Sequence, residues 1–120
     1  MSSTQYELNK HLVHWESATR QFRAEHEAAE TAKALYEHKR DIKRTYFMEA
    51  NGMSAAKAEA AAGADEDIFS LRLEYVRLSA LAESTKKHLE WCRSKADAFS
   101  TQAADERAAN QLHANFPAGA

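Results

Sequence analysis

NGMSAAKAEAAAG, residues 51–63, decides the fold, because it holds two of the three glycines in a chain of 120 residues. Asparagine and glycine both tolerate the left-handed backbone that closes a helix, so the Asn-Gly pair at its start predicts a helix end. Ser54 is a typical N-cap residue. The alanine-rich stretch after it predicts a short helix over 54–62, which Gly63 ends.

Long helices are predicted on both sides of this stretch. Between residues 4 and 50 there is no glycine or proline, and Thr4 begins a capping-box pattern, so the first helix is predicted over 4–50. Asp65 or Asp67 starts the second helix, because acidic residues suit the positive end of a helix dipole. Nothing interrupts that helix before its predicted end, and we assign it residues 65–112.

The second long helix carries a regular heptad pattern. Alternating steps of three and four residues from Ile68 land almost entirely on apolar residues over about five heptads, which is typical of a coiled-coil seam. Apolar residues outside the seam, such as Phe69, Leu73 and Trp91, widen the stripe beyond what one partner helix covers. The predicted seam comprises Ile68, Leu71, Tyr75, Leu78, Ala82, Thr85, Leu89, Cys92, Ala96, Phe99 and Ala103.

The first long helix has a less regular apolar pattern. Its start keeps the heptad at Leu8, Leu12, Trp15, Thr19 and Phe22. Small residues follow, which allow two helices to approach closely, and the stripe then continues with a phase shift. The predicted later members are Ala28, Ala29, Ala32, Leu35, Tyr36, Ile42 and Tyr46.

Two long helices joined by a short tip predict an antiparallel hairpin. The expected fold class is therefore all-α, a coiled-coil-like helical hairpin with a short helix at its tip. We expect one domain over 1–112, followed by a flexible tail at 113–120. Because a two-helix hairpin has no enclosed core and leaves part of each apolar stripe exposed, we also expect a homo-oligomer that covers it.

Composition argues against several classes of protein. A single cysteine excludes an internal disulfide. No segment has the pattern of a signal peptide or a transmembrane helix. We therefore expect a soluble, cytoplasmic protein without a membrane partner. No enzyme activity and no cofactor are expected, because there is no glycine-rich phosphate loop and a slender hairpin has no cleft to tune carboxylates. His11, His14 and His113 make a poor zinc site without a fixed cysteine or carboxylate.

Positive charge is concentrated between residues 36 and 47, although the formal net charge of the chain is −2. Since the chain folds around residues 52–63, facing residue numbers are expected to sum to about 115, which places Arg72 and Arg77 opposite this cluster. Clustered cations favour phosphate binding through counterion release. The predicted nucleic-acid-binding residues are Lys39, Arg40, Lys43, Arg44, Arg72, Arg77, Lys86, Lys87, Arg93 and Lys95.

Aromatic residues near these cations have more than one interpretation. Tyr36, Tyr46 and Phe47 are placed to stack unpaired bases, but the two tyrosines also fit the core between the helices. Basic residues that alternate with acids on a long helix most often form a solvated face with i,i+4 ion pairs. Trp15 and Trp91 are either seam residues or anchors between protomers.

The layout resembles small helical proteins encoded by tailed phages. NGMSAAKAEAAAGAD corresponds to their Ser/Thr-Ala-rich tip, and the helix that follows matches their pattern at Lys86, Lys87, Leu89, Glu90, Arg93, Lys95, Asp97, Ala98 and Ser100. Some of these proteins are similar to the UvsY recombination mediator family, and the resemblance covers about residues 36–107. It implies single-stranded DNA binding by eight of the ten basic residues, all but Arg72 and Arg77, in ring-like oligomers that help load a recombinase.

Two functions are expected as alternatives. The first is a phage-type recombination accessory protein, which binds single-stranded DNA through a basic stripe repeated around an oligomer and assists recombinase loading. Its partners would be DNA and a recombinase or single-strand-binding protein, in the host cytoplasm if the protein is phage-encoded. The second is a non-enzymatic coiled-coil adaptor, scaffold or phage inhibitor that binds a protein partner without nucleic acid.

Overall fold

A computed structural model describes residues 3–115 of the chain. Within that range there are three α-helices and no strand: α1 (Ser3–Ala50), α2 (Ala55–Ala64) and α3 (Glu66–Asn115). α1 and α3 run antiparallel, with α2 at the turn, so the predicted all-α helical hairpin with a short tip helix is confirmed. None of these helices has an apolar stretch long enough to cross a bilayer, as far as the described residues extend.

The described residues form two compact units. Unit 1 joins the part of α1 up to Gln21 to the part of α3 from Thr85 onward. Unit 2 spans Phe22–Ser84 and includes α2. In each unit, a segment of α1 packs against an antiparallel segment of α3.

The end of α1 and the start of α2 follow the predicted backbone signals. Gly52 has a φ of +65°, and the Met53 N–H donates a hydrogen bond of 3.2 Å to the Phe47 carbonyl, which closes α1. Ser54 has extended backbone, and its hydroxyl accepts a 3.3 Å hydrogen bond from the Lys57 N–H. The predicted N-cap of the tip helix is therefore confirmed.

The junction of α2 and α3 differs from the prediction by two residues. α2 continues through Gly63, which keeps a negative φ, and ends at Ala64, so the predicted end at Gly63 is wrong. The chain leaves the helix at Asp65 instead, with φ −62° and ψ 132°. The Asp65 carboxylate accepts hydrogen bonds of 3.1 and 3.2 Å from the Asp67 and Ile68 N–H groups, which makes Asp65 the N-cap of α3.

Both outer helix ends differ from the sequence-based bounds. α1 already includes Ser3, and the buried Thr4 hydroxyl donates a 2.7 Å hydrogen bond to Glu106 of α3 and accepts one of 3.4 Å from Gln102. Thr4 therefore joins two helices instead of capping one, because the neighbouring helix offers its hydroxyl better partners. At the other end, α3 continues to Asn115 past the predicted end at 112, and the rest of the predicted tail lies outside the described residues.

The predicted seam of α3 is confirmed in full. All eleven of its residues are buried or half-buried, and Cys92, the most enclosed, is 1% exposed. The sulfur of Cys92 lies 3.5 Å from His88 Nε2. The strict heptad spacing keeps one side of α3 against α1 along the whole pattern.

The predicted stripe of α1 is partly wrong. Leu12, Leu35, Ile42 and Tyr46 are between 40% and 55% exposed, and Ala28 is exposed as well. The inner positions recur every three or four residues and include charged side chains, whose long apolar stems pack while their charged ends reach solvent. They are Thr4, Leu8, His11, Trp15, Ala18, Phe22, Glu25, Ala29, Ala32, Tyr36, Arg40, Lys43 and Phe47.

The pairing of α1 with α3 is shifted from the prediction. The pair Thr4–Glu106 has residue numbers that sum to 110, and the stacked pair Tyr36–Tyr75 gives 111, against the expected value of about 115. The reason lies at the tip, where Lys43 already pairs with Asp65 before the first residue of α3. The last turns of α1 therefore extend beyond the start of α3.

Candidate nucleic-acid interface

The ten predicted binding residues fall into two sets, one in each unit. Unit 2 holds Lys39, Arg40, Lys43, Arg44, Arg72 and Arg77, and unit 1 holds Lys86, Lys87, Arg93 and Lys95. The two sets differ in what surrounds the charges, and this difference decides which of them is free to bind an anion.

The basic cluster of α1 in unit 2 is largely neutralised by acidic neighbours. Arg44 lies 3.4 Å from Glu59 of α2 and 3.8 Å from Asp41. Arg40 lies 3.7 Å from the same Asp41 carboxylate. The Lys43 ammonium lies 3.6 Å from the Asp65 carboxylate. Lys39, the fourth member of the cluster, is exposed and has no acidic partner among the described residues.

The aromatic residues of this cluster serve mainly in packing. The Tyr36 ring stacks on Tyr75 of α3 at 6.1 Å between centroids, and the Arg40 guanidinium lies over the same ring at 5.4 Å. Tyr36 is therefore committed to the helix–helix contact, which is the packing interpretation of the sequence. Tyr46 is exposed and meets Phe47 edge to face at 5.7 Å, so it does not belong to the core.

Arg72 and Arg77 are not equivalent, because the pairing of the helices is shifted. Arg72 lies one turn before Tyr75 and therefore opposite the start of the cluster, and it is exposed without an acidic partner among the residues described. Arg77 lies beyond Tyr75, away from the cluster, and pairs with Glu74 at 2.7 Å. Hydrogen bonds from Arg77 lower the pKa of the Glu74 carboxyl, and the same contact raises the pKa of Arg77.

A groove of about 560 Å³ lies beside this cluster in unit 2. Apolar side chains form one wall of this groove, and its charged lining residues are two lysines and two aspartates, Lys39, Lys43, Asp65 and Asp67. The two carboxylates offset the two ammonium groups, and Asp65 already pairs with Lys43, so the walls of this groove offer a phosphate backbone no net positive charge.

The four basic residues of unit 1 are in a different environment. Lys86, Lys87 and Arg93 are exposed and have no ion pair with any described residue. The Lys95 ammonium lies 5.6 Å from the centroid of the Trp91 ring. We call these four residues the 86–95 cation cluster; its positive charge is not cancelled by direct contacts.

Trp91 is one of the two tryptophans for which the sequence left two interpretations open; Trp15 is half-buried on the inner side of α1, whereas Trp91 lies outside the seam. It precedes the seam residue Cys92 by one position, and it is 51% exposed. His88 stacks on the Trp91 ring at 5.9 Å with an interplanar angle of 17°. The heptad pattern already contained this signal, because a residue next to a seam position points away from the partner helix.

A second groove, of about 390 Å³, lies beside Trp91 in unit 1. It is lined by His14, Ser17, Ala18 and Gln21 of α1 and by His88 and Trp91 of α3. No carboxylate lines it, in contrast to the groove of unit 2. An anionic ligand would therefore meet no direct repulsion from the walls of this groove.

The histidines of unit 1 pack against aromatic rings. His11 stacks on Phe99 at 5.0 Å between centroids and meets the His14 ring edge to face at 6.2 Å. The Nε2 atom of His11 lies 3.9 Å from the Glu7 carboxylate. Across residues 3–115, no group of three or more histidine, cysteine, aspartate or glutamate side chains is placed to hold a metal ion.

Comparisons with known proteins find no match to this chain among protein-family models, curated proteins or solved structures. The resemblance to UvsY-like phage proteins therefore rests on the residues quoted from the sequence and stays a prediction.

Proposed function

We propose that this protein is a non-enzymatic single-stranded DNA-binding protein that acts as a phage-type recombination accessory factor. One observation carries the DNA-binding part of the proposal: Lys87 and Lys95 of the 86–95 cation cluster lie one turn on either side of an exposed tryptophan, and no member of the cluster is neutralised by acidic side chains among the described residues. Phosphate binding by such cations releases counterions, and exposed aromatic rings stack on unpaired bases.

Assistance to a recombinase is supported by the sequence resemblance alone. In this proposal the protein holds a single strand in the cytoplasm of the host cell, so that a recombinase can replace the single-strand-binding protein that covers it. Neither step makes or breaks a covalent bond, so the protein would act by binding only.

Assembly into a homo-oligomer forms part of the proposal. Phe69, Leu73 and Val76 lie at i, i+4 and i+7 on one side of α3 and are each about half exposed. A second copy that covered this side would remove apolar surface from water. Repeating one weak binding site around an oligomer would also raise its avidity for a long strand without new contacts.

Salt dependence tests the DNA-binding proposal. For the Lys87→Gln/Lys95→Gln double variant, we expect weaker binding of a labelled single-stranded oligonucleotide and a slope of log K against log salt that is smaller by about 1.4, at roughly 0.7 per lost phosphate contact. Fluorescence anisotropy over a series of salt concentrations measures both quantities. Far-UV circular dichroism checks that the variant keeps its helices.

The Lys39→Gln/Arg72→Gln double variant is the matched control, because it also removes two exposed cations that have no acidic partner within the described chain. We expect its salt slope to equal that of the unmodified protein. Loss of affinity in the control alone would move the interface to unit 2. No binding of the unmodified protein at low salt would overturn the proposed function.

A protein-only adaptor or scaffold is the second candidate, and the exposed apolar side of α3 in unit 2 supports it. An apolar protein interface responds little to added salt, whereas a phosphate interface weakens steeply. The same salt series, applied to any protein partner that the chain captures, distinguishes the two functions.

A further inference from the structure

The tryptophan at the 86–95 cation cluster has a surface that packing within the chain does not use. Trp91 lies outside the seam and leaves about half of its surface, 51%, in contact with solvent. Tryptophan has the largest side chain, and burying its apolar surface is strongly favourable in free energy, so an exposed indole leaves that free energy unused. A ligand with a flat apolar face would recover part of that gain.

The same helical face of α3 presents only uncharged or basic groups around this ring. Lys87, His88, Ser94 and Lys95 are the residues three and four positions from Trp91, so they surround it on the helix surface. Glu90, the one acidic residue between positions 86 and 95, precedes Trp91 directly and points to another side of the helix. The ring therefore lies in a basic surface without a neighbouring carboxylate on its own face.

The groove beside Trp91 adjoins a second groove in unit 1, because His14 lines both. The second groove, of about 320 Å³, is also lined by Tyr6, Asn9, Lys10 and Val13, and no carboxylate lines it. Tyr6 is 62% exposed, so each groove has one exposed aromatic ring. An exposed lysine accompanies each ring, Lys10 beside Tyr6 and Lys95 over Trp91.

We propose that these two grooves, joined at His14, form a seat for unpaired nucleobases of a single strand, with Trp91 and Tyr6 as the stacking surfaces. This inference rests on the proposed function and names the part of unit 1 that distinguishes unpaired bases from a phosphate backbone. Aromatic rings between cations are the arrangement by which proteins bind single strands with little sequence preference, each stacked base contributing a large part of the affinity.

The position of the Trp91 ring is already set in the free protein. His88 stacks near one side of the ring and the Lys95 ammonium lies over it at 5.6 Å, so the indole is held by two neighbours from its own helix. A ring that is ordered before binding loses little rotamer freedom on binding. A base can therefore stack on the indole by displacing the flexible Lys95 side chain, without first ordering the ring itself.

Tryptophan fluorescence provides the direct test, because the chain has two tryptophans, Trp15 and Trp91. In a Trp15→Phe variant, Trp91 is the sole source of tryptophan emission. We expect a single-stranded oligonucleotide to quench this emission, and an abasic oligonucleotide of equal length and charge to leave it nearly unchanged, because stacking needs a base. The Trp91→Phe variant, which reports on half-buried Trp15 alone, is the matched control and should show no quenching.

Affinity provides the second measurement. We expect Trp91→Ala to weaken binding of the ordinary oligonucleotide roughly tenfold, and Trp91→Phe to weaken it much less, because the phenyl ring retains a stacking face. Both variants should bind the abasic oligonucleotide as the unmodified protein does, since the lysines are intact. Tyr6→Ala should show the same dependence on the presence of bases. Single-stranded RNA in place of DNA should give the same pattern, because both present unpaired bases.

The outcomes separate this inference from the proposed function. If the unmodified protein binds ordinary and abasic strands equally, with the Trp91 emission unaffected, then the nucleobase seat is wrong while the phosphate-binding function stands. If it binds neither strand, the proposed function itself is wrong. If Trp91→Ala changes the mass of the assembly in the absence of DNA but leaves strand binding unaltered, Trp91 belongs to a contact between copies and the nucleobase seat is wrong.

Discussion

Two glycines near the tip differ in the sign of the backbone angle φ. Gly52 has a φ of +65°, a conformation that side chains with a Cβ atom rarely adopt, whereas Gly63 keeps a negative φ within α2. A Cβ atom added at either position would meet nothing within 4 Å, so space does not distinguish them. The effect of a methyl group at each position should therefore depend on backbone conformation alone.

Alanine at these two positions should change stability in opposite directions. Gly63→Ala is expected to raise the free energy of unfolding by about 0.5–1 kcal/mol, because alanine loses less backbone entropy in a helix. Gly52→Ala is expected to lower it by about 1–2 kcal/mol, the cost of a left-handed alanine. Urea denaturation followed by circular dichroism measures both. Equal shifts in the same direction would show that α2 or its boundary is placed wrongly.

At the scale of the elements, α2 packs through its smallest side chains. Ala58 and Ala62, four residues apart on one face of α2, are both 0% exposed, while Ala60 on the other side is exposed. The ion pair between Arg44 of α1 and Glu59 of α2 lies at the rim of this contact, where exposed ion pairs contribute little to stability. Close packing of the alanine face is therefore the main attachment of the tip helix.

Leucine at the two sides of α2 tests this packing. Ala62→Leu should lower the free energy of unfolding by about 1–3 kcal/mol, because a closely packed site has no room for three more carbon atoms. Ala60→Leu adds the same atoms to an exposed position and should stay within about 0.5 kcal/mol of the unmodified protein. Thermal unfolding of the two variants side by side gives the comparison. A tolerated leucine at position 62 would mean that α2 is not attached through this face.

At the scale of the whole molecule, the composition of the inner faces explains why apolar residues remain outside. Several inner positions of α1 hold charged or polar residues, among them His11, Glu25 and Lys43, while large apolar residues such as Leu35 and Ile42 lie exposed. A small helical protein gains only a few kcal/mol from a limited core. Further stabilisation would have to come from a partner surface, which is the basis of the proposed homo-oligomer.

A charge on the exposed side of α3 in unit 2 tests that proposal. Leu73→Glu should reduce the mass measured by light scattering after size exclusion, because a carboxylate would be buried between copies without a partner. Ser70→Glu adds the same charge to an exposed position outside the row formed by Phe69, Leu73 and Val76, and should keep the native mass. A monomeric mass for the unmodified protein at micromolar concentration would contradict the homo-oligomer, and an unchanged mass for Leu73→Glu would exclude this side as the contact.

The three helices, the end of α1, the N-cap of α2 and the inner face of α3 were predictable from the sequence. Gly52, Ser54 and Asp65 act on the backbone within a few residues of themselves, so their effect does not depend on the rest of the fold. The seam of α3 was predictable because apolar residues recur strictly at the heptad spacing over its whole length. Gly63 misled the prediction, because a glycine permits a helix end without requiring one.

The inner face of α1 and the state of the charges were decided only by the tertiary structure. Ile42 and Tyr46 were placed in the predicted stripe of α1 because they are hydrophobic. The side of α1 that packs against α3 instead includes Arg40 and Lys43. The partner of Lys43 is Asp65, 22 positions along the chain, and no local pattern predicts that pair. Periodicity and capping are local properties of a chain, whereas burial and ion pairing depend on which residues the fold brings together.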